Sequence, residues 1–167
     1  MVKKKLYLMC GPAGSGKTTW IREHATPGVS AHISRDRIRF SFVKEDEYYF
    51  SRENEVYMEF TRQIMKAITC EWVDEVYVDA THLTKKSREK LIREIDNVCR
   101  PFEIIAIIVK PELEKCIEQN AQRSGREFVP ETVIRNMYES FQHPLNDDLY
   151  YKYIIENDKI VKGEVEN

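Results

Sequence analysis

The chain has 167 residues, 42% hydrophobic and 32% charged, enough for one domain, 1–167, with its own core. A formal net charge of −2 supplies no global attraction for nucleic acid, so any polyanion site has to be a local basic patch. No apolar run approaches the length of about 18 residues that a membrane span requires, which excludes a membrane partner at the sequence level.

The basic N-terminus, "MVKKKLYLMCGP", runs from a short apolar segment straight into a glycine loop, with no small-residue cleavage site. It reads as a first strand, "LYLMC" (6–10), in a cytoplasmic protein. A helix over 17–25 follows the loop, and "VSAHI" (29–33) is a second strand. Ser34 is placed to cap a short helix. Over 51–70, Val56, Phe60, Ile64 and Ile68 recur every four residues, with Tyr57 beside them, which predicts an amphipathic helix. "EVYVDA" (75–80) is a third strand, and Leu91, Ile92, Ile95 and Val98 form the stripe of a helix over 84–98 that Thr84 can cap.

"FEIIAIIV" (102–109) is too continuously apolar to have a wet face, as expected of a strand covered on both sides. "PELEKCIEQNAQ" (111–122) opens with Pro at a helix start, and Val133, Ile134, Met137, Tyr138 and Phe141 make a last helical stripe. "YKYIIEN" (151–157) reads as an edge strand and "KGEVEN" as a frayed tail. Strand and helix alternate, so the expected class is α/β: a doubly wound, mainly parallel sheet flanked by helices, with ligands at the carboxyl ends of its strands. Cys10, Cys70, Cys99 and Cys116 lie far apart without a C-x-x-C pair and read as reduced, largely buried thiols.

"GPAGSGKT" fits G-x-x-x-x-G-K-[ST] at Gly11, Gly16, Lys17 and Thr18. Glycines allow backbone N–H groups to turn inward onto phosphate oxygens, and the following helix presents its positive end. The nucleotide contacts fall on Gly11, Ala13, Gly14, Ser15, Gly16, Lys17, Thr18 and Thr19. Lys17 reaches the β- and γ-phosphates of ATP, and the Thr18 hydroxyl ligates Mg²⁺. Asp79, closing the third strand, is the second metal-side group, or else a strand-end Asp opening a turn.

In "HISRDRIRF" (32–40), Asp36 and Arg39 lie three apart on one helix face. A carboxylate there can take a proton from an attacking hydroxyl while Arg39 grips an acceptor phosphate; equally, a helix-start Asp satisfies the dipole and the arginines face solvent. Arg35, Arg37 and Arg39 supply a local basic patch. Arg123 and Arg126 flank Gly125 and suit a lid over about 120–131 that neutralises charge during transfer, or a helix C-terminus with a glycine cap.

Four motifs in order, "GPAGSGKTT", "SRDRIR", "VDATHLTKKSR" and "RSGREFVPETVIRNMYESF", give the chain a resemblance to the bacteriophage-type polynucleotide 5′-kinases and related small P-loop kinases. The resemblance implies a P-loop NTPase fold with a helical lid, and transfer of the γ-phosphate of ATP, with Mg²⁺, to the 5′-hydroxyl of a polynucleotide. It implies Asp36 as general base, Arg39 and Thr81 on an acceptor phosphate, and Arg126 or Arg123 as the lid arginine. His82 stands where the family often has Asn, and it reads as a partly buried loop residue. Relatives phosphorylate sugars, nucleosides and peptidoglycan precursors, so a small-metabolite kinase and a nucleotide-gated binding module with weak ATPase activity are the alternatives. Trp20 reads as core, and Tyr48, Tyr49 and Phe50 as aromatics that either pack inward or stack a base.

Overall fold

The computed structural model describes residues 3–97 and 101–163. Among these residues six strands form one sheet: β1 (Lys4–Cys10), β2 (Ser30–Ser34), β3 (Glu75–Asp79), β4 (Phe102–Ile108), β5 (Tyr153–Glu156) and β6 (Lys159–Gly163). Their spatial order is β2-β3-β1-β4-β5-β6; all neighbours are parallel except β5 and β6. Between them run α1 (Lys17–His24), α2 (Arg35–Phe42), α3 (Glu53–Thr69), α4 (Lys85–Asp96), α5 (Leu113–Ala121) and α6 (Glu131–Glu139).

Alternation along the central strands sends side chains to two cores. Leu6, Leu8, Val76, Val78, Ala106 and Ile108 meet the α3 stripe of Val56, Phe60, Ile64 and Ile68 and the α4 stripe of Leu91, Ile92 and Ile95. Met9, Tyr77, Ile105 and Ile107 point the other way, against Ile21 of α1. Each fully buried aliphatic or aromatic side chain contributes about 1.5–3 kcal/mol relative to exposure, so these two layers hold the sheet rigid. A third cluster, Ala13, Cys116 and Ile134, seats the glycine loop on α5 and α6.

Both expected caps form: the Ser34 side chain accepts from the Arg37 N–H and Thr84 from the Ser87 N–H. Because Ser34 is in register with Asp79, α2 begins at the same carboxyl edge where β3 ends. That edge also carries the loop after β1.

Several expectations change. The edge strand is β6, not the 151–157 segment; β5 is paired on both sides, and Lys162 and Gly163 of the tail belong to β6. The side chains of β6 are all exposed, so they carry no inward-facing alternation to read. Trp20 is half-buried; its ring stacks 3.8 Å from that of His24, and its indole N–H donates to Asp158 Oδ1 at 2.9 Å in the β5–β6 turn. Tyr48 and Phe50 are exposed and only Tyr49 is partly covered. Cys10 and Cys116 are buried free thiols and Cys70 is half-buried, whereas Cys99 and the Val98 end of the α4 stripe lie outside the described residues. Among the described residues, no helix is long and apolar enough to cross a membrane.

Candidate active site

The loop between β1 and α1 adopts its turn because two glycines take conformations an L side chain resists. Gly14 has φ +75°, and Gly16, the N-cap of α1, has φ +100°. A Cβ on Gly14 would lie 2.3 Å from the Cys116 carbonyl oxygen, which is backbone and cannot swing aside. The loop is tied at its start by the Gly11 N–H, which donates to the Thr81 carbonyl at 2.9 Å. Lys17 Nζ folds back over the loop, donating to the Pro12 carbonyl at 2.8 Å and to Ser15 Oγ at 3.4 Å. Burial lowers the Lys17 pKa, opposed by the charges of Asp79 and Asp36. Ala13 and Ser15 are buried, while Thr18 and Thr19 stand exposed in the first turn of α1. Gly14→Ala is expected to weaken nucleotide binding at least roughly tenfold, since a strained φ and a backbone clash both act on the loop. Titration with a fluorescent ATP analogue reads this; unchanged affinity would mean that the loop does not hold nucleotide.

Asp79 sits beside that loop, as β3 neighbours β1. Its Oδ2 accepts from Thr18 Oγ1 at 3.0 Å and from His32 Nε2 at 2.8 Å. Burial acts to raise the Asp79 pKa, yet those hydrogen bonds and the Lys17 charge hold the carboxyl below its ordinary value. A carboxylate only accepts, so His32 presents Nε2–H to it; the β2–β3 pairing puts this ring there, a role that no sequence spacing signals. Among the described residues no group of three or more His, Cys, Asp and Glu could hold a metal unaided. Hydroxyl and carboxylate oxygens from Thr18 and Asp79 nonetheless suit Mg²⁺, which takes one or two protein oxygens and completes its shell with phosphates and water.

Asp36 projects from the first turn of α2 with its side chain 65% exposed. Two donors orient it: Arg39 Nη1 at 2.6 Å and the Tyr49 hydroxyl at 3.0 Å, both on Oδ1. Burial and the Asp36 charge push the Tyr49 pKa up to about 12, which keeps that hydroxyl protonated and donating. Arg39 itself is buried, flanked by Tyr49 at 4.7 Å and Phe50 at 5.5 Å from the ring centroids. Its Nε and Nη2 form a fork on Glu53 at 2.6 and 3.0 Å. Arg35 Nη2 reaches the same carboxylate at 3.1 Å. Burial alone would raise the Glu53 pKa, but the hydrogen bonds and charges of Arg39 and Arg35 hold it down. Glu53 therefore pairs with two of the three arginines of the basic patch, leaving Arg37 exposed.

The span expected as a lid covers the end of α5, one 3-10 turn over Gly125–Glu127 and the start of α6. The buried Asn120 pins its two ends: Nδ2 donates to the Val129 carbonyl at 2.6 Å and Oδ1 accepts the Val129 N–H at 3.0 Å. The two arginines go separate ways. Arg123 is exposed and its charge acts on Lys17. Arg126 lies over the Phe40 ring at 4.7 Å and donates to the Phe40 and Val43 carbonyls at the C-terminal end of α2, at 3.4 and 2.5 Å.

The family model described as an AAA domain matches residues 6–144. The chain belongs to that family. Among solved structures, this AAA domain is similar to a chain of the Pnkp1/Rnl/Hen1 RNA repair complex, with TM-score 0.67 and 18% identity over 84% of this chain; it spans only 44% of the length of that one. It is similar to a fungal RNA kinase (TM-score 0.62, 17% identity, 98% of this chain and 79% of the other). It is also similar to Chaetomium thermophilum Kti12 in complex with ADP-AlF3 (TM-score 0.60, 19% identity, 92% and 89%). At these identities the likeness shows a shared fold alone, which with the family match is of the P-loop NTPase type.

Beside His32, three further features of the AAA domain's site escaped the sequence. Glu53 lies on α3, far from the α2 arginines in sequence, and no spacing rule connects them. His82 is 6% exposed and has φ +41°, buried rather than partly buried; its Nδ1 lies 2.7 Å from the Met9 carbonyl oxygen. Arg88, the last residue of the third motif, is wholly buried and holds the His82 carbonyl through Nη1 at 2.7 Å. Thr81 and His82 line a cavity shared with Arg35 and Glu53, while the Thr81 carbonyl anchors Gly11.

Proposed function

We propose that this domain moves the γ-phosphoryl group of ATP to the 5′-hydroxyl of a polynucleotide. The observation that carries the reading is the placement of Asp36: held by Arg39 and Tyr49 in the first turn of α2, it stands at the strand edge where Ser34 is in register with Asp79, the carboxylate bonded to Thr18 of the phosphate loop. A carboxylate so placed accepts the proton of an acceptor hydroxyl as its oxygen bonds phosphorus and the bond from phosphorus to the bridging oxygen of ADP breaks. The loop N–H groups and Lys17 hold the phosphates, and Arg123 adds positive charge on the lid side. Mg²⁺ on Thr18 and Asp79 would neutralise phosphate charge when bound. Arg39, held by Glu53 and Asp36, orients the base and has at most a fraction of its donors left for an acceptor phosphate; Thr81, which lines a cavity with Arg35 and Glu53, is the second phosphate contact.

Similarity of fold to a chain of an RNA repair complex and to an RNA kinase supports a nucleic acid acceptor. The pairing of Arg35 and Arg39 with Glu53 favours a second reading, a small uncharged acceptor or a nucleotide-gated module with slow ATP hydrolysis. Incubation with γ-labelled ATP, Mg²⁺, 5′-hydroxyl oligoribonucleotides, oligodeoxyribonucleotides and a metabolite panel separates them. Label on an oligonucleotide is the expected result; label confined to a small molecule, or to free phosphate, would replace it.

A further inference from the structure

Two buried nitrogens, Arg35 Nε and His82 Nε2, have no hydrogen-bond partner among the described residues, and both residues line one cavity of about 430 Å³ between α3, α4 and the turn after β3. Tyr57 and Phe60 form its aromatic side, with Thr81 and Lys90 at its margin. The Arg35 guanidinium lies 5.5 Å from the Tyr57 ring centroid and 6.0 Å from that of Phe60, and Phe60 stacks at 6.3 Å on the His82 ring.

The hydrogen-bonding sense of each nitrogen is fixed. The Met9 carbonyl only accepts, so His82 carries its hydrogen on Nδ1. Burial, helped by the charges of Arg35 and Arg88, brings the His82 pKa down to about 4, so the ring is neutral near pH 7. Its Nε2 is then a lone-pair acceptor, whereas Arg35 Nε–H is a donor. An occupant that completes both must give one hydrogen and take another. Ionised phosphate has none to give, and an ammonium has no lone pair to offer. A sugar hydroxyl does both, and so does the donor–acceptor edge of a nucleobase.

We propose that this cavity recognises a neutral donor–acceptor group of the terminal nucleoside of the acceptor, a sugar hydroxyl or a base edge, bridged between Arg35 Nε and His82 Nε2. This rests on the polynucleotide reading: Arg35 precedes Asp36 in the first turn of α2 and shares Glu53 with Arg39, so the occupant adjoins the base. An acceptor lacking the group leaves both nitrogens unpartnered, which is expected to lower kcat/KM roughly tenfold or more.

The test measures kcat/KM of the full chain on 5′-hydroxyl oligonucleotides in two arms. One varies the sugar of the terminal nucleotide among ribose, 2′-deoxyribose and 2′-O-methylribose; the other varies its base among adenine, unsubstituted purine and an abasic residue. A loss of roughly tenfold or more in the sugar arm assigns the hydroxyl, and in the base arm the base edge; either upholds the inference. In His82→Asn, which tolerates the positive φ and retains a donor for Met9, the discrimination in that arm should fall toward one. Arg35→Lys keeps the charge opposite Glu53, removes the Nε–H and should do the same. Flat kcat/KM across both wild-type arms overturns the inference even where a variant fails to fold, and leaves the polynucleotide reading standing. Discrimination that persists undiminished in both folded variants also overturns it. Absence of label on every oligonucleotide overturns the polynucleotide reading, and the inference falls with it.

Discussion

Asp36→Asn is expected to slow phosphoryl transfer by roughly two to four orders of magnitude while leaving nucleotide affinity within about twofold of wild type. The substitution is nearly isosteric, and its carbonyl oxygen still accepts from Arg39 Nη1 and the Tyr49 hydroxyl, so the local packing of α2 survives. What disappears is the basic oxygen. The competing role for Asp36, a first-turn carboxylate satisfying the dipole of α2, makes a different forecast. It allows a stability loss of about 0.3–1 kcal/mol and no specific loss of rate. Single-turnover transfer from γ-labelled ATP, measured beside affinity for a fluorescent ATP analogue, separates the two. Full transfer by the variant would remove Asp36 from the chemistry. Arg39→Lys gives a graded companion result, because a lysine keeps the charge but cannot fork onto Glu53 and reach Asp36 together. Loss of rate without loss of nucleotide affinity there would mark Arg39 as orienting the base.

What the sequence revealed follows from how local each signal is. The phosphate loop was legible because Gly11, Gly16, Lys17 and Thr18 keep fixed offsets between a strand and a helix. Ser34 and Thr84 were legible as caps because capping acts over three residues. Asp79 was legible as the residue closing the third strand, and the structure sets that strand beside the first. The ion cluster on Arg39 was not, since Glu53 arrives from another helix across a loop and helical spacing says nothing about it. Nor was β6, whose five exposed residues show no burial-driven alternation and whose placement depends on the Asn157–Asp158 turn, where both residues have positive φ. His82 read as a partly buried loop residue, and its full burial was not legible because Met9 and Phe60, remote in sequence, close over it together with Arg88 of its own motif. Of the aromatics at 48–50, for which inward packing and base stacking were both open, a short loop leaves Tyr48 and Phe50 outside.

The largest stability effect is expected at Arg88, where the third motif turns out to hold the fold together. Its side chain is fully buried and spends itself on three partners. Nε and Nη2 fork onto Asp147 at 2.7 and 2.8 Å, Nη2 also donates to the Gln142 carbonyl at 2.7 Å, and Nη1 holds the His82 carbonyl. Tyr151 adds a hydroxyl to Asp147 at 2.5 Å. Arg88→Met fills similar volume but strands a buried carboxylate and two carbonyls, so a loss of about 3–5 kcal/mol is expected. For a chain of this size that corresponds to a fall in Tm of roughly 10–15 °C, readable by calorimetry or urea unfolding. Removing the stranded charge as well, in Arg88→Met with Asp147→Leu and Tyr151→Phe, should recover much of the loss, because a well-packed apolar replacement avoids the desolvation cost. A variant as stable as wild type would show that water reaches Asp147 and that the pair is not a buried one. Nη1 fixes the turn that carries Thr81 and His82, and the Thr81 carbonyl anchors the first glycine of the loop. The same substitution should therefore weaken nucleotide binding at temperatures where the protein is still folded, a coupling between core and site that a purely global loss of stability would not produce.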